Sequence, residues 1–404
     1  MTALRVCCAL WLALSALLAA SPARAAKPAA LSLSGFATLG AVSSDRKDVW
    51  FTRYGVNFPG DSDPDFSPDS LLGLQASLAL GPSSDVTLQV LTSEDGANRY
   101  DPRLTLGFFR QTLGPGLALR IGRLRVPFFM LSDSLYINYA NPWVRPPVEV
   151  YGLNPFNDLD GIDLLYHARL GQTDLELHPY YGSGGIPFPN GKARLRATWG
   201  LNMVLSHGNV ALHLGHGDGR FSLQRGDAQF LAFAANLQAA GLGAVVEDLS
   251  GTRGTTAFDS IGVQWDDGTW QLVGEYARRR ANRYVVSAHG WYVSAGRRFG
   301  SLTPYLMLAR QDLERPMARL PPTAPAPLAT VWQAFLRSRN NAQRSVTAGL
   351  RWDVTRAAAV KAELSHARPD RDAWGSYFPR NDPLTTRIGG RPINTLSVSV
   401  DVTF

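Results

Sequence analysis

The sequence predicts an all-β fold: a transmembrane, antiparallel, up-and-down β-barrel of about sixteen strands with one long loop folded inward. Three observations carry that prediction. The run Asn394–Phe404 alternates with period two, placing Leu396, Val398, Val400, Val402 and Phe404 on one face and Thr395, Ser397, Ser399, Asp401 and Thr403 on the other. Segments of about ten residues with strand-like character recur along the chain, bounded by turn chemistry. The links between them alternate between tight turns and long loops.

A strand with one face for oil and one for water is a pairing hazard at an open sheet edge. In a closed transmembrane barrel each face has its solvent and every backbone group has a partner. The strand segments are Leu31–Ser43, Ser70–Leu80, Asp85–Ser93, Arg103–Leu113, Leu117–Val126, Ile162–Leu170, Thr173–Tyr181 and Arg194–Ser206. They continue with Asn209–Gly217, Phe258–Asp266, Thr269–Arg279, Gly290–Phe299, Leu302–Gln311, Ser345–Thr355, Ala359–His366 and Asn394–Phe404. Tight links at Gly81–Ser84, Gly114–Gly116, Gly171–Gln172, His207–Gly208, Asp267–Gly268, Gly300–Ser301 and Arg356–Ala358 fall at every second junction. The other junctions are mostly long, notably Ser44–Asp69, Pro127–Gly161, Asp218–Ala257, Asp312–Arg344 and Ala367–Ile393. That sorting of loop lengths onto two ends is the signature of an up-and-down barrel, with both chain ends on the short-turn side.

Two segments complicate the count. Asp227–Gly241 carries Phe230, Phe233, Leu237 and Ala240 at helical spacing between an Asp and a Gly, which reads as a short helix inside a loop. It also alternates, so an extra hairpin giving eighteen strands stays open. Val49–Phe58 reads as a hairpin in a loop above the barrel.

The amino terminus reads as an export signal: Arg5, an apolar run from Val6 to Ala20, and Ala23-Arg24-Ala25 as the cleavage box. Residues 1–25 are then the signal and 26–404 the barrel domain. Both cysteines, Cys7 and Cys8, lie in that signal, so the exported chain has no disulfide. The formal charge is +7; without Arg5 and Arg24, 38 basic against 33 acidic residues leave +5. That mild, scattered excess excludes a nucleic-acid-binding surface.

The aromatic carboxyl terminus, Phe404, resembles the closing strand of Gram-negative outer-membrane barrels. The resemblance implies that Phe404 is an assembly signal read by the barrel-assembly machinery, and that outer-membrane lipids and lipopolysaccharide surround the barrel. The segment Arg120–Gly161 (RIGRLRVPFFMLSDSLYINYANPWVRPPVEVYGLNPFNDLDG) resembles the region of general bacterial porins that feeds their constriction loop, with Ile121-Gly122-Arg123 running into Pro127. It lies at the third long-loop junction, where that family folds a loop into the barrel. The Pro-Glu-Phe-Gly-Gly sequence of the enterobacterial porins is absent. The resemblance implies a homotrimer and a water-filled channel for passive diffusion of small hydrophilic solutes, with no cofactor.

The loop is built to be rigid. Pro127, Pro142, Pro146, Pro147 and Pro155 restrict its backbone, and Tyr136, Tyr139, Trp143 and Tyr151 give it bodies to pack against a wall. Its charged residues Asp133, Arg145, Glu149, Asp158 and Asp160 are the candidate constriction residues. On the barrel wall, alternation turns Arg103, Arg169, Arg298, Arg351 and Lys361 inward, with Asp163, Glu176, Glu275, Asp353 and Glu363. If Leu195, Ala197, Trp199 and Leu201 face lipid, then Arg194, Arg196, Thr198 and Asn202 face the pore. Arg123 and Arg125 share the parity of Leu119 and Ile121, which leaves their side open; both are retained as pore-wall candidates. Cations opposite loop carboxylates would set a transverse field that favours polar solutes.

Chemistry has little support in the sequence. His213 and His216 are three apart, which sends their rings to opposite faces of a strand. Gly185–Lys192 imitates a phosphate loop, but its spacing is one residue too long and Ala193 stands in place of Ser or Thr. No Gly-x-Ser-x-Gly elbow is present. Asp61, Asp63 and Asp65, followed by Asp69, are the weak metal candidates: their spacing could wrap calcium, but Phe66 sits where that loop needs Gly and no Glu closes it. A hydrolase and an anion-, carboxylate- or phosphate-selective channel remain the alternatives to a general porin.

Overall fold

Alternation along the chain sorts side chains onto two surfaces, and neighbour pairing rolls those surfaces into a closed tube. The computed structural model describes residues 31–53, 60, 62–188, 190–382 and 386–404. The barrel strands, numbered in chain order, are β1 Leu31–Ser44, β2 Leu71–Ala79, β3 Ser84–Ser93, β4 Arg103–Gly114, β5 Leu117–Arg125, β6 Asp158–Leu170, β7 Thr173–Phe188 and β8 Gly191–His207. They continue as β9 Val210–Arg225, β10 Gly251–Asp266, β11 Trp270–Ala281, β12 Ser287–Arg297, β13 Leu302–Arg315, β14 Gln343–Thr355, β15 Ala358–Pro369 and β16 Ile393–Thr403. Each pairs antiparallel with its sequence neighbours, and β16 closes the ring on β1 in a register running from Phe36 opposite Thr403 to Ser44 opposite Thr395. No barrel strand is left as an edge, so the backbone polar groups are paired within the wall.

The two faces of β16 separate as the alternation demands. Thr395, Ser397, Ser399 and Asp401 are buried inside, while Leu396, Val398 and Val400 are exposed on the outer surface. Leu33, at 73% exposure, and Leu364, at 57%, belong to the same outer apolar belt. Phe404 exchanges backbone hydrogen bonds with Gly35 at 2.7 and 2.9 Å, and its ring covers that glycine.

Among the described residues four α-helices lie in loops: α1 Val148–Tyr151 within the inward loop, and α2 Ala228–Ala239, α3 Gly243–Leu249 and α4 Ala326–Arg337 at the long-loop end. Asp227 caps α2, its carboxylate accepting from the Phe230 N–H at 2.8 Å. Phe230, Phe233 and Leu237 are buried on one stripe, and Phe233 packs on Trp332 and Phe335 of α4 with ring centroids 6.2 and 5.6 Å apart. The segment Ala228–Ala239 is therefore a helix and not an extra hairpin: its apolar residues match a stripe spaced by three and four, and the barrel keeps sixteen strands. Val49–Phe51 pairs with Tyr377–Pro379 of another loop, and residues 54–58 of the expected Val49–Phe58 hairpin lie outside the described residues. β7 and β8 run past their predicted ends, which makes their junction tight although it lies on the long-loop side. The phosphate-loop imitation falls inside that hairpin, with Gly185 opposite Arg194 and Pro187 opposite Lys192.

A β-bulge changes the reading of β8. Trp199 pairs with Asp218 and Arg196 with Arg220, so two residues of β8 stand against Gly219 alone, and Ala197 takes φ +47°. The extra residue reverses the alternation. On one side of the bulge Trp199 and Leu201 face out and Thr198 and Asn202 face in; on the other, Leu195 is fully buried while Arg194 and Arg196 are exposed.

Candidate constriction site

The site begins where β5 leaves the sheet. Gly122 has φ +136°, and a Cβ there would sit 2.2 Å from the Gly107 carbonyl oxygen, so only glycine fits beside β4. After Arg125 the chain departs as residues 126–157 and enters the barrel, its two ends tied by the Val126 N–H to the Asn157 carbonyl at 3.3 Å.

Apolar side chains of this loop supply its bulk. Val126, Phe128, Phe129, Trp143, Val150, Leu153 and Phe156 join one buried cluster with Leu195 of β8, Phe221 of β9, Phe258 of β10, Tyr292 of β12 and the helical loops. Trp143, 1% exposed, lies edge-on to Tyr292 at 5.6 Å and donates its indole N–H to Ser294 Oγ at 2.9 Å. Phe128 meets Tyr180 of β7 at 5.9 Å. On the other side of the loop, Tyr136 packs with Phe36, Leu71 and Leu91 of β1, β2 and β3.

Polar wall residues then bind the loop backbone. Glu275 of β11 accepts from the Met130 N–H at 2.8 Å and the Tyr151 hydroxyl at 2.7 Å. Glu363 of β15 accepts from the Val144 N–H at 2.8 Å and the Tyr305 hydroxyl at 2.7 Å. Arg351 of β14 donates to the Tyr139 and Asn141 carbonyls at 2.6 and 2.9 Å. Lys361 of β15, with 0% of its surface exposed, forms a salt bridge of 2.9 Å with Asp401 and donates to the Asn138 and Trp143 carbonyls at 2.6 and 2.8 Å. A buried charge of this kind is tolerated only because it is paired and hydrogen-bonded.

Two of the loop's own charges are anchors. Arg145 makes a two-pronged, buried salt bridge to Asp69, donates to Ser397 Oγ at 2.9 Å and stacks over Phe51. Burial pulls its guanidinium down, but the Asp69 carboxylate outweighs that and holds it above the usual arginine value. Glu149 accepts from Gln343 at 2.8 Å and Ser345 at 2.6 Å on β14. Asp133, in contrast, is exposed. Asp158 and Asp160 are not loop residues: they open β6, opposite Arg125 and Arg123.

The inner wall of β3 to β6 carries a run of cations. Arg103 donates to the Ser93 carbonyl and hydroxyl at 3.1 and 2.8 Å, and Arg125, buried, lies over the Tyr136 ring and donates to Gln89 Oε1 at 3.4 Å. Arg110 pairs with Asp85 at 2.6 Å, and Arg120 with Asp163 at 2.6 Å, His178 joining the same carboxylate at 2.7 Å. At the short-turn end these strands open into a polar cleft of about 530 Å³ lined by Gln75, Ser77, Asp85, Arg110, Thr112 and Arg120. Also near that end, Arg298 pairs with Asp266 at 2.6 Å, and Arg169 stands exposed 4.0 Å from Asp174.

Two pore-wall assignments are corrected. Arg196 faces outward because the Ala197 bulge reverses the alternation. Arg123 follows the outward alternation of Ile121 and pairs with Asp160 at 2.7 Å, while Arg125 turns inward where the strand leaves the sheet. The acids of the first long loop have internal partners: Asp63 accepts from Ser43 and Lys47, Asp65 from the Ser67 N–H, and Asp69 from Arg145, while Asp61 lies outside the described residues. His213 is buried inside and His216 faces out toward Asp259 at 2.8 Å. The sequence reading missed Asn138, Ser294 and the pairing roles of Asp69 and Asp401. Alternation placed Asp401 on the inner face, but its partner Lys361 depends on cross-strand register.

No protein-family model and no curated protein matches the sequence. Solved structures do. The trimer form of OmpT, an outer membrane protein of Vibrio cholerae, has TM-score 0.54 at 12% identity, covering 93% of this chain and 99% of that one. The anion-selective porin from Comamonas acidovorans has TM-score 0.53 at 13% identity, covering 93% and 99%. Salmonella typhi OmpF in complex with daunomycin has TM-score 0.52 at 13% identity, covering 93% and 97%. The chain therefore has the fold of the outer-membrane porins: a closed, sixteen-stranded antiparallel barrel.

Proposed function

We propose that this protein is an outer-membrane porin, a non-enzymatic channel through which small hydrophilic solutes and ions diffuse passively. The observation that carries the reading is the inserted loop 126–157, anchored on β11 to β15 by Glu275, Ser294, Arg351, Lys361 and Glu363. An inward loop held rigidly by wall side chains narrows a tube without closing it. On this reading the polar cleft lined by Asp85, Arg110 and Arg120 is the channel's mouth at the short-turn end. A homotrimer fits the reading, supported by the trimeric form of one structural neighbour.

A preference for anions is favoured by Arg103 and Arg125, whose hydrogen bonds go to neutral groups and which share the one nearby carboxylate Asp158, beside Arg110 and Arg120. Planar-bilayer recording of the folded protein tests both readings. Stepwise, ohmic conductance is expected, with a reversal potential of the anion-permeable sign under a salt gradient. Folded, inserted protein that gives no current steps refutes the channel, and a cation-permeable reversal potential refutes the charge argument.

A further inference from the structure

Three arginines stand side by side on the outside of the barrel. Arg310 of β13 is directly opposite Arg344 of β14, which is directly opposite Arg368 of β15. They share the outward alternation of Leu306 and Leu308, of Val346 and Leu350, and of Leu364, all exposed. The next row toward the barrel's middle reads Leu308, Val346 and His366. The arginines therefore mark the border of the apolar belt at its long-loop end. Arg371, Asp370 and Gly390 join them around a cleft of about 250 Å³.

The local charges do not cancel. Asp312 pairs with Arg310 at 2.5 Å, Asp370 lines the cleft, and Arg368 donates to the Gly390 carbonyl at 3.3 Å. Four guanidiniums against two carboxylates leave a net charge of +2. Like charges directly opposite one another destabilise a strand pair, and here the clash is repeated across two successive pairs. A bound anion turns that repulsion into attraction. Guanidinium forks match phosphate oxygens in shape as well as charge.

We propose that this cleft binds the phosphate of an anionic glycolipid headgroup in the membrane leaflet on the long-loop side. A free phosphate solute would gain nothing from the adjoining leucines and valines. A lipid would lay its acyl chains over Leu306, Leu308, Val346 and Leu364 while its phosphate enters the cleft. The inference rests on the barrel being embedded in a membrane and is independent of its conducting solutes.

The full-length protein, folded in detergent, is titrated separately with bis-phosphorylated lipid A, with the same glycolipid dephosphorylated, and with inorganic phosphate. Thermal midpoint and bound phosphate are the readouts, and heat-modifiable electrophoretic mobility reports folding. Phosphorylated lipid A is expected to raise the midpoint, and Arg344→Gln/Arg368→Gln to weaken its binding at least tenfold. Without lipid, that variant should melt no lower than the native protein, because the cross-strand repulsion is gone. Arg344→Lys/Arg368→Lys keeps the charge without the forks and should bind with intermediate strength. An equal response to dephosphorylated glycolipid or to inorganic phosphate, or equal binding by the Gln variant, overturns the assignment. Should the Gln variant misfold, the Lys variant and the dephosphorylated lipid carry the same comparison. Failure of native protein to insert into lipid vesicles would instead refute the membrane reading on which the inference rests.

Discussion

Replacing Lys361 with methionine removes a fully buried wall cation that holds the inserted loop. Its ammonium bridges Asp401 at 2.9 Å and donates to the carbonyls of Asn138 and Trp143 at 2.6 and 2.8 Å, with no exposed surface. Without it, Asp401 keeps only the Thr38 and Ser399 hydroxyls, at 2.7 and 3.2 Å, and two loop carbonyls lose a donor. Removing one partner of a buried ion pair costs roughly 3–5 kcal/mol. At about 1.4 kcal/mol per factor of ten, the ratio of docked to released loop falls by roughly 10²–10⁴. The wall itself is expected to persist, since its strands stay paired on both sides. The assay is single-channel recording: Lys361→Met should convert a steady open level into flicker between levels, with easier proteolysis within residues 126–157. Lys361→Met/Asp401→Leu, which removes both charges, should recover part of the steadiness, short of full recovery because the carbonyls remain unpaired. A quiet, native-like trace for Lys361→Met, or a double variant no better than the single, refutes the view that this pair holds the loop.

Two other outcomes follow from the geometry. Arg103→Gln/Arg125→Gln should shift the reversal potential toward cations, whereas Arg196→Gln, outward beyond the bulge, should leave it unchanged; the reverse pattern would contradict the lumen assignment. The Asp63 carboxyl is held below its ordinary value of 3.8 by hydrogen bonds from Lys47 and Ser43. A carboxylate with a depressed folded pKa stabilises above its unfolded value and loses that contribution as pH falls through its folded one. The thermal-midpoint gap between native protein and Asp63→Asn should therefore hold at neutral pH and close progressively below about 3.8; a gap that persists in stronger acid counts against the Lys47–Asp63 clasp.

Much of the barrel was legible because its rules are local. Period two assigns the Val face and the Thr/Ser face of Asn394–Phe404 without knowledge of any other strand, and loop lengths reveal which ends belong together. The helix at 228–239 was legible too, from an Asp cap and apolar residues spaced by three and four. Arg196 was misplaced because alternation carries no warning of a bulge: one additional residue at Ala197 leaves Trp199 and Leu201 outward as expected but turns Arg194 and Arg196, before it, outward as well. Asp158 and Asp160 were read as loop residues because nothing in their sequence shows that Arg125 and Arg123 extend the pairing to meet them.

The loop's attachment was beyond local reading. Its prolines and aromatics announce a rigid segment, but Arg145 and Asp69, Trp143 and Ser294, or Lys361 and Asp401 meet only after the ring has closed. By itself, the sequence determined a two-faced, up-and-down strand order, the inward face of most wall charges and a long loop fit to pack, because those follow from alternation and spacing along one chain. Only the tertiary structure decided the bulge, the register and which loop charges are anchors and which are exposed, because each depends on partners far apart in sequence that barrel closure brings within hydrogen-bonding distance.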